Sequence, residues 1–192
     1  MKKIALSLAV AMSALAVAAP ATAQQKSAIL VVDTDRVLNE CNACKAAATQ
    51  LQSQVQQGRQ RAQQLEASLK PESETLQKAV EALGGKQPDA ALQARIAAFR
   101  QKQQQGATEL QNREASLQST QQNVQQQIGR KVVEVVEQSR ARRQAAIVVS
   151  KQSTLANDAT IDITGEVIAS VNQQLPSVSV TPLPQQAKPQ GR

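Results

Sequence analysis

Residues 76–99 read LQKAVEALGGKQPDAALQARIAAF, and their pattern decides the fold. Leu76, Ala79 and Leu83 approach Gly84-Gly85 in steps of three and four. Leu92, Ile96 and Phe99 leave Pro88-Asp89 in steps of four and three. Such steps put apolar side chains on one narrow stripe of an α-helix. Between the stripes, glycine suits the end of one helix, proline follows it, and Asp89 can cap the next. The segment 84–89 therefore predicts the tip of a pair of antiparallel helices.

Both stripes persist away from the tip. Leu51, Val55, Gly58, Ala62, Leu65, Leu69 and Glu72 continue the first; Gln103, Gly106, Leu110, Arg113, Leu117, Thr120 and Val124 continue the second. The two mirror each other, so Leu83 should face Leu92, Leu76 Phe99, Leu65 Leu110 and Leu51 Val124. At ~1.5 Å per residue each arm spans about 60–70 Å. Two amphipathic helices folded into a compact bundle would be the competing arrangement. The strict four-three step favours a narrow coiled-coil seam over the broad apolar face of a bundle. The seam is underfilled: Leu69 is set opposite Gly106, Gly58 opposite Leu117, and Glu72, Gln103 and Arg113 take seam positions. Each glycine costs about 1 kcal/mol of helix propensity relative to alanine. Pro71 removes a hydrogen bond within the first arm and should kink it. The arms are expected to bend and splay at these layers.

Short apolar runs bracket the hairpin. Ala28–Val32 reads as a buried strand, and Asp33-Thr34-Asp35 should start a helix near Asp35 or Arg36. Beyond Val124 the helix is apolar on several faces, and Arg140, Arg142 and Arg143 complement its dipole. Ala146–Val149 reads as a second strand and 159–163 as a weaker third. Asp162 can cap a last helix in which Ile163, Val167, Ile168, Val171 and Leu175 share a face. The strands can pair only if the arms leave the sheet and return. The expected fold is α+β and mostly helical: a small β-rich body (24–35 and 146–175) bearing a long antiparallel coiled-coil hairpin (36–145). A body of about sixty residues is small for independent stability. Ile29, Val31, Val132, Val133, Val135, Val136, Ile147 and Val149 are therefore expected to serve oligomerisation. From Pro176, repeated Pro, Gln and Ser predict a disordered tail, 176–192.

Lys2 and Lys3, the apolar run Ile4–Ala18 and Ala21-Thr22-Ala23 have the form of a signal peptide, residues 1–23, cleaved between Ala23 and Gln24. An uncleaved N-terminal anchor is the competing reading. Cleavage predicts an exported protein, and removes two of the 22 basic residues and none of the 15 acids, lowering the net charge from +7 to +5. The chain has no His, Trp or Tyr and one Phe, Phe99. The usual general base and the commonest metal ligand are missing, as is an aromatic platform for nucleic-acid bases. No enzyme, metal, cofactor or nucleic-acid partner is expected. Asp33, Asp35 and Glu40 sit at a helix start, where acids cap and stabilise the dipole.

Cys41-Asn42-Ala43-Cys44 is the one redox motif. An oxidising compartment favours pairing, and an i, i+3 spacing suits a local disulfide stapling the first turn. A redox-active pair, an intermolecular link and free thiols are the other possibilities. Between Lys45 and Arg143 the basic residues outnumber the acids fifteen to nine, so the positive charge sits on the arms. Arg59, Arg61, Lys70, Lys78, Lys86, Arg95, Arg100, Lys102 and Arg113, with Phe99, are candidates for binding an unfolded acidic partner. A merely solvated helix face is the competing reading for any one of them.

The order of features resembles the Skp/OmpH family of periplasmic chaperones, from Ala28 to about Leu175. The shared pattern is the apolar first strand Ile29–Val32, the Gln- and Lys/Arg-rich hairpin, the second strand Ile147–Val149, and Asp162-Ile163-Thr164 before an apolar helix. The resemblance implies a periplasmic homotrimer whose hairpins hang from a shared β-rich body around a cavity. It implies that unfolded outer-membrane proteins are held there without ATP. It also suggests lipopolysaccharide or an anionic membrane surface as a partner. Here, however, the stretch that is densely basic in the family's best-known member holds Arg113 and little else. The paired cysteines and the Pro-rich tail are not general family features. A structural envelope coiled coil, binding lipopolysaccharide, peptidoglycan or another assembly factor, is the alternative function.

Overall fold

The computed structural model describes residues 29–184; the expected signal peptide with its Ala23–Gln24 cleavage site, and residues 185–192, lie outside them. The elements run β1 (Ile29–Val32), α1 (Thr34–Glu40), α2 (Asn42–Glu81), α3 (Ala90–Arg142), β2 (Ile147–Ser150) and α4 (Thr164–Gln174), a mostly helical α+β fold. β1 and β2 pair in parallel, Ile29 with Ile147 through Val32 with Ser150. Parallel neighbours cannot be joined by a tight turn. Here the whole helical hairpin is the crossover between them.

The tip forms as its residues require. Gly84 and Gly85 take positive φ, 55° and 89°, the left-handed region that suits glycine. The Lys86 N–H donates to the Leu83 carbonyl at 3.0 Å. The Asp89 carboxylate accepts from the Leu92 N–H at 2.8 Å and starts α3. Leu76 and Phe99, an expected pair two turns from the tip, are only 6% and 8% exposed. Helix α2 runs through Pro71 without interruption. Gln103 and Arg113, although in step with the second stripe, are exposed. Leu65 lies 3.6 Å from where a Cβ on Gly106 would be, filling the space that glycine leaves. It thus reaches one turn nearer the tip than its expected partner Leu110.

The first helix starts as expected, with Asp33 accepting from the Arg36 N–H at 3.0 Å. It then stops at Cys41, which the periodicity does not anticipate. Cys41 is extended and is disulfide-bonded to Cys44, the local pairing expected of the motif. The break leaves the first N–H groups of α2 without helical partners. Asn42 N–H is taken by the Asn172 side chain of α4 at 2.8 Å, and Cys44 N–H points to the Cys41 sulfur at 3.1 Å. The expected third strand is instead a 3-10 turn, Ala159–Ile161, with a single bridge from Asp162 to Val31. The Asp158 and Asp162 carboxylates accept from the N–H groups of Thr160 and Thr164, and these local bonds turn the chain before a ladder can grow. On α4, Val167 and Val171 are fully buried beside Ile163, the face expected from sequence.

The core differs from the expected body in two ways. It includes both roots of the hairpin: Ala43, Cys44 and Ala47 of α2, and Val124, Ile128, Val132 and Val135 of α3, packed with Leu30, Val32, Val37 and the α4 face. The body therefore extends well inside 36–145. In addition, disorder does not begin at Pro176. Val178 and Val180 pack against the core, and residues 176–184 run along the hairpin roots as an extended strap. Proline-rich composition excludes helix but is compatible with an extended segment whose backbone bonds to side chains.

The disulfide closes a loop of only a few residues, so it constrains the unfolded chain little. Replacing both cysteines by alanine should cost about 2 kcal/mol and lower the thermal midpoint by about 4–8 °C. Helical circular dichroism at room temperature should be retained. An unchanged midpoint would show that the break at Cys41 needs no covalent hold.

Candidate functional site

Two regions carry the residues singled out by sequence: the body surface and the arms. On the body, the strand and helix residues expected to face partner subunits divide into two groups. Val31, Val132 and Val135 are 1%, 8% and 0% exposed within the single chain. Val132 and Val135 fill its own core, where α4 and the hairpin roots close over them, and Val31 is buried on the other face of β1, bridged to Asp162; none of the three is open to a partner. Val136 and Val149 are half-buried. Ile29, Val133 and Ile147 remain open, at 48%, 70% and 49% exposed, and Leu38 and Leu155 are exposed as well. A four-residue strand shows that it is buried but not by what, which is why the sequence did not separate these groups.

On the arms, Phe99 is buried in the seam and is a packing residue; a chain lying on the arm surface does not reach it. The cations also divide. Arg61 on α2 crosses to Glu109 on α3 with two hydrogen bonds of 2.8 Å, and Arg113 reaches the same carboxylate at 3.1 Å. Lys102 crosses to Glu72 at 2.7 Å. Glu72, an apparent flaw in the stripe, is thereby an inter-arm tie. Arg61 and Lys102 thus hold the arms together, whereas Arg113 pairs with Glu109 along α3 itself. Arg59, Lys70, Lys78, Lys86, Arg95 and Arg100 are exposed and have no ion-pair partner among the described residues. They run from the middle of α2 around the tip and back along α3, and give the distal arm its unpaired positive charge.

Hydrogen bonds from Arg61 and then Arg113 hold the Glu109 carboxyl down at about 2. At the α3 C-terminus, burial would raise the Glu166 carboxyl. Hydrogen bonds led by Arg142 outweigh it and keep this group below its usual range. Arg142 and Arg143 reach Glu166 at 2.7 and 3.0 Å, binding the returning arm to α4.

Between the arms, where Gly58 and Ala62 replace larger seam residues, a cavity of about 910 Å³ opens. Val55, Gly58 and Ala62 line one wall, Leu110 and Leu117 the other, and the strap residues Val180 and Pro182 close one end. A Cβ added to Gly58 would meet nothing within 4 Å. Of the two glycine layers read as underfilled from the sequence, the one at Gly58 is thus a real gap, whereas Leu65 fills the one at Gly106. What the sequence reading missed is its neighbour, the strap. The alternation of Val178 and Val180 with Ser179 and Thr181 was the available signal. Among the described residues there is no cluster of groups able to hold a metal ion, and no helix is long and apolar enough to cross a membrane.

Residues 28–171 match the family described as outer membrane protein (OmpH-like). A candidate outer membrane chaperone (OmpH-like) from Caulobacter crescentus, solved by crystallography, shares the fold with a TM-score of 0.68. Its identity is 17%, over 83% of this chain and 94% of that one. No curated protein matches the chain significantly.

Because the depressed Glu109 carboxyl has a folded pKa below its unfolded one, it adds stability above the ordinary carboxylate range. That contribution fades as pH falls from about 4.5 toward about 2. Glu109→Gln should therefore lower the thermal midpoint at pH 7, and the gap to the parent should shrink across that interval. A gap that stayed constant down to pH 2 would mean the carboxylate plays no part.

Proposed function

The chain belongs to the OmpH-like family of outer membrane proteins, and from that membership we propose that it is an ATP-independent periplasmic holdase for unfolded outer-membrane proteins. Three copies associate through the open apolar residues of the body, Ile29, Val133 and Ile147 with Leu38 and Leu155. Their hairpins then surround a shared cavity. The observation that carries the reading is the division of labour along each arm. The roots are densely packed, while the distal part holds few buried side chains and six cations without partners.

A holdase needs contacts that are weak, many and adaptable. A rigid apolar surface would trap one sequence; a flexible cationic wall steers acidic chains inward and excludes none by shape. The arms suit this because their cross-ties, Arg61–Glu109 and Lys102–Glu72, are exposed ion pairs of small individual worth. No reaction is catalysed and no cofactor is required. Lipopolysaccharide fits this arm less well as a partner, since Arg113 is committed to Glu109.

The mature protein should sediment as a trimer and, at one trimer per client, suppress aggregation of a urea-unfolded β-barrel protein on dilution. A structural coiled coil would not. Replacing Arg59, Lys70, Lys78, Lys86, Arg95 and Arg100 by Gln should slow capture about tenfold at low salt. Affinity of the unaltered protein should weaken from about 50 mM to about 500 mM salt. Capture insensitive to both would show that apolar contacts alone carry it.

A further inference from the structure

Residues 176–184 lie in the mouth of the gap between α2 and α3, and the way they are held is that of a bound peptide. Their backbone, not their side chains, makes the polar contacts. The Gln127 side chain accepts from the Ser179 N–H and donates to the Ser179 carbonyl, both at 3.0 Å. Asn123 donates to the Thr181 carbonyl at 3.0 Å, Gln54 donates to the Val180 carbonyl at 3.1 Å, and the Leu183 N–H donates to the Ser119 hydroxyl at 3.0 Å. Meanwhile Val178 and Val180 turn inward onto the core while Ser179 and Thr181 face out.

Bonding to main-chain groups is indifferent to sequence. What it selects is an extended conformation, with an apolar residue at every second position. That is also the pattern of a strand in a membrane-spanning β-barrel, where apolar and polar residues alternate. Glutamine and asparagine suit the task, since each amide offers both donors and an acceptor. The gap continues past Val180 and Pro182 along Val55, Gly58, Ala62, Leu110 and Leu117, where nothing fills it. The strap therefore occupies one end of a groove long enough for more chain than it supplies.

We infer that the cleft between α2 and α3, from Gln127 and Gln54 at its base to Gly58 and Leu117, is a binding groove for an extended polypeptide of alternating apolar and small polar residues. The strap 176–184 is a built-in competitor that covers one end of the groove until such a segment displaces it. This rests on the holdase reading and adds to it a second contact on each arm. The unpaired arm cations attract, and the groove grips strand-like segments through their backbone. A tethered strap acts as a competitor at an effective concentration near the millimolar range, so weak segments are refused and only well-matched ones enter.

The test uses a fluorescein-labelled peptide with the sequence of residues 176–184. The full mature chain carrying Val178→Asp and Val180→Asp, which releases the strap, should bind it at least about tenfold more tightly than the parent. Adding Gln127→Ala, which removes the paired bonds to the Ser179 backbone, should reverse the gain while helical circular dichroism is kept. If the Asp variant does not fold, hydrogen exchange on the parent replaces it. Saturating unlabelled peptide should speed exchange at the Ser179 and Leu183 amides. Equal affinity for parent and released variant, no binding by either, or amide exchange indifferent to peptide would overturn the inference. Parent affinity that rises on dilution would make a neighbouring copy's strap the occupant, and would overturn the intramolecular competition. Peptide binding without suppression of aggregation would sink the holdase reading alone. Suppression without peptide displacement would sink the groove alone.

Discussion

The pairing of Ile29–Val32 with Ile147–Ser150 constrains everything else in this chain. Two four-residue parallel strands from opposite ends of the fold must lie side by side, and more than a hundred residues separate them. The only route is outward along α2, around Gly84–Asp89, and back along α3. Pairing alone would not hold such a loop, since a two-stranded sheet is marginal in water. What secures it is the apolar cluster beneath. Leu30 and Val32 pack with the roots of both long helices, and α4 closes the other side. Polar ties reinforce the closure: Thr164 accepts from the Asp33 N–H at 2.9 Å, and Asn172 caps the start of α2. Every buried polar side-chain atom among the described residues has a hydrogen-bond partner.

The fold spends its packing at one end. Near the roots, layers are filled by Ala, Val and Ile, and exposure is low. Further out, glycine at 58 and exposed Gln103 and Arg113 leave a seam held by a few leucines, Phe99 and ionic ties. Stability is therefore graded along the hairpin, and local opening should be least costly where buried apolar contact is least. For the holdase role proposed above, that gradient is useful. The body keeps one structure, while the arms remain open to change.

Much of this was legible in the sequence, for identifiable reasons. A seam in steps of four and three, a Gly-Gly…Pro-Asp tip and β-branched runs at both ends each have few structural solutions, and together they favour a hairpin bracketed by paired strands. The break at Cys41 was not legible, because an i, i+3 disulfide fits a continuous helix as readily as a helix junction. Which apolar residues face the chain's own core was not legible either. Val132 and Val133 are equivalent in composition but 8% and 70% exposed, because Val132 continues the Val124–Ile128 face into the core and Val133 points away from it. The strap was misread because proline, glutamine and serine signal disorder by composition, whereas the alternation around Val178 and Val180 signals an extended strand-like segment. Of the candidate cations, Arg61 and Lys102, tied across the hairpin to Glu109 and Glu72, could be found only from the register of the two arms. The six without partners stand out only once those ties are known.

Small-angle X-ray scattering of the mature protein tests the central claim most directly, because it reports whether the arms stand clear of the body. Helix α3 alone, 53 residues, spans about 80 Å. The distance distribution should therefore be skewed and should extend to about that length or beyond. A symmetric distribution with a radius of gyration of about 15 Å for one chain, or about 23 Å for three, the values for compact particles of those sizes, would mean that the hairpin folds back onto its base. No wall of arms would then exist to hold a client.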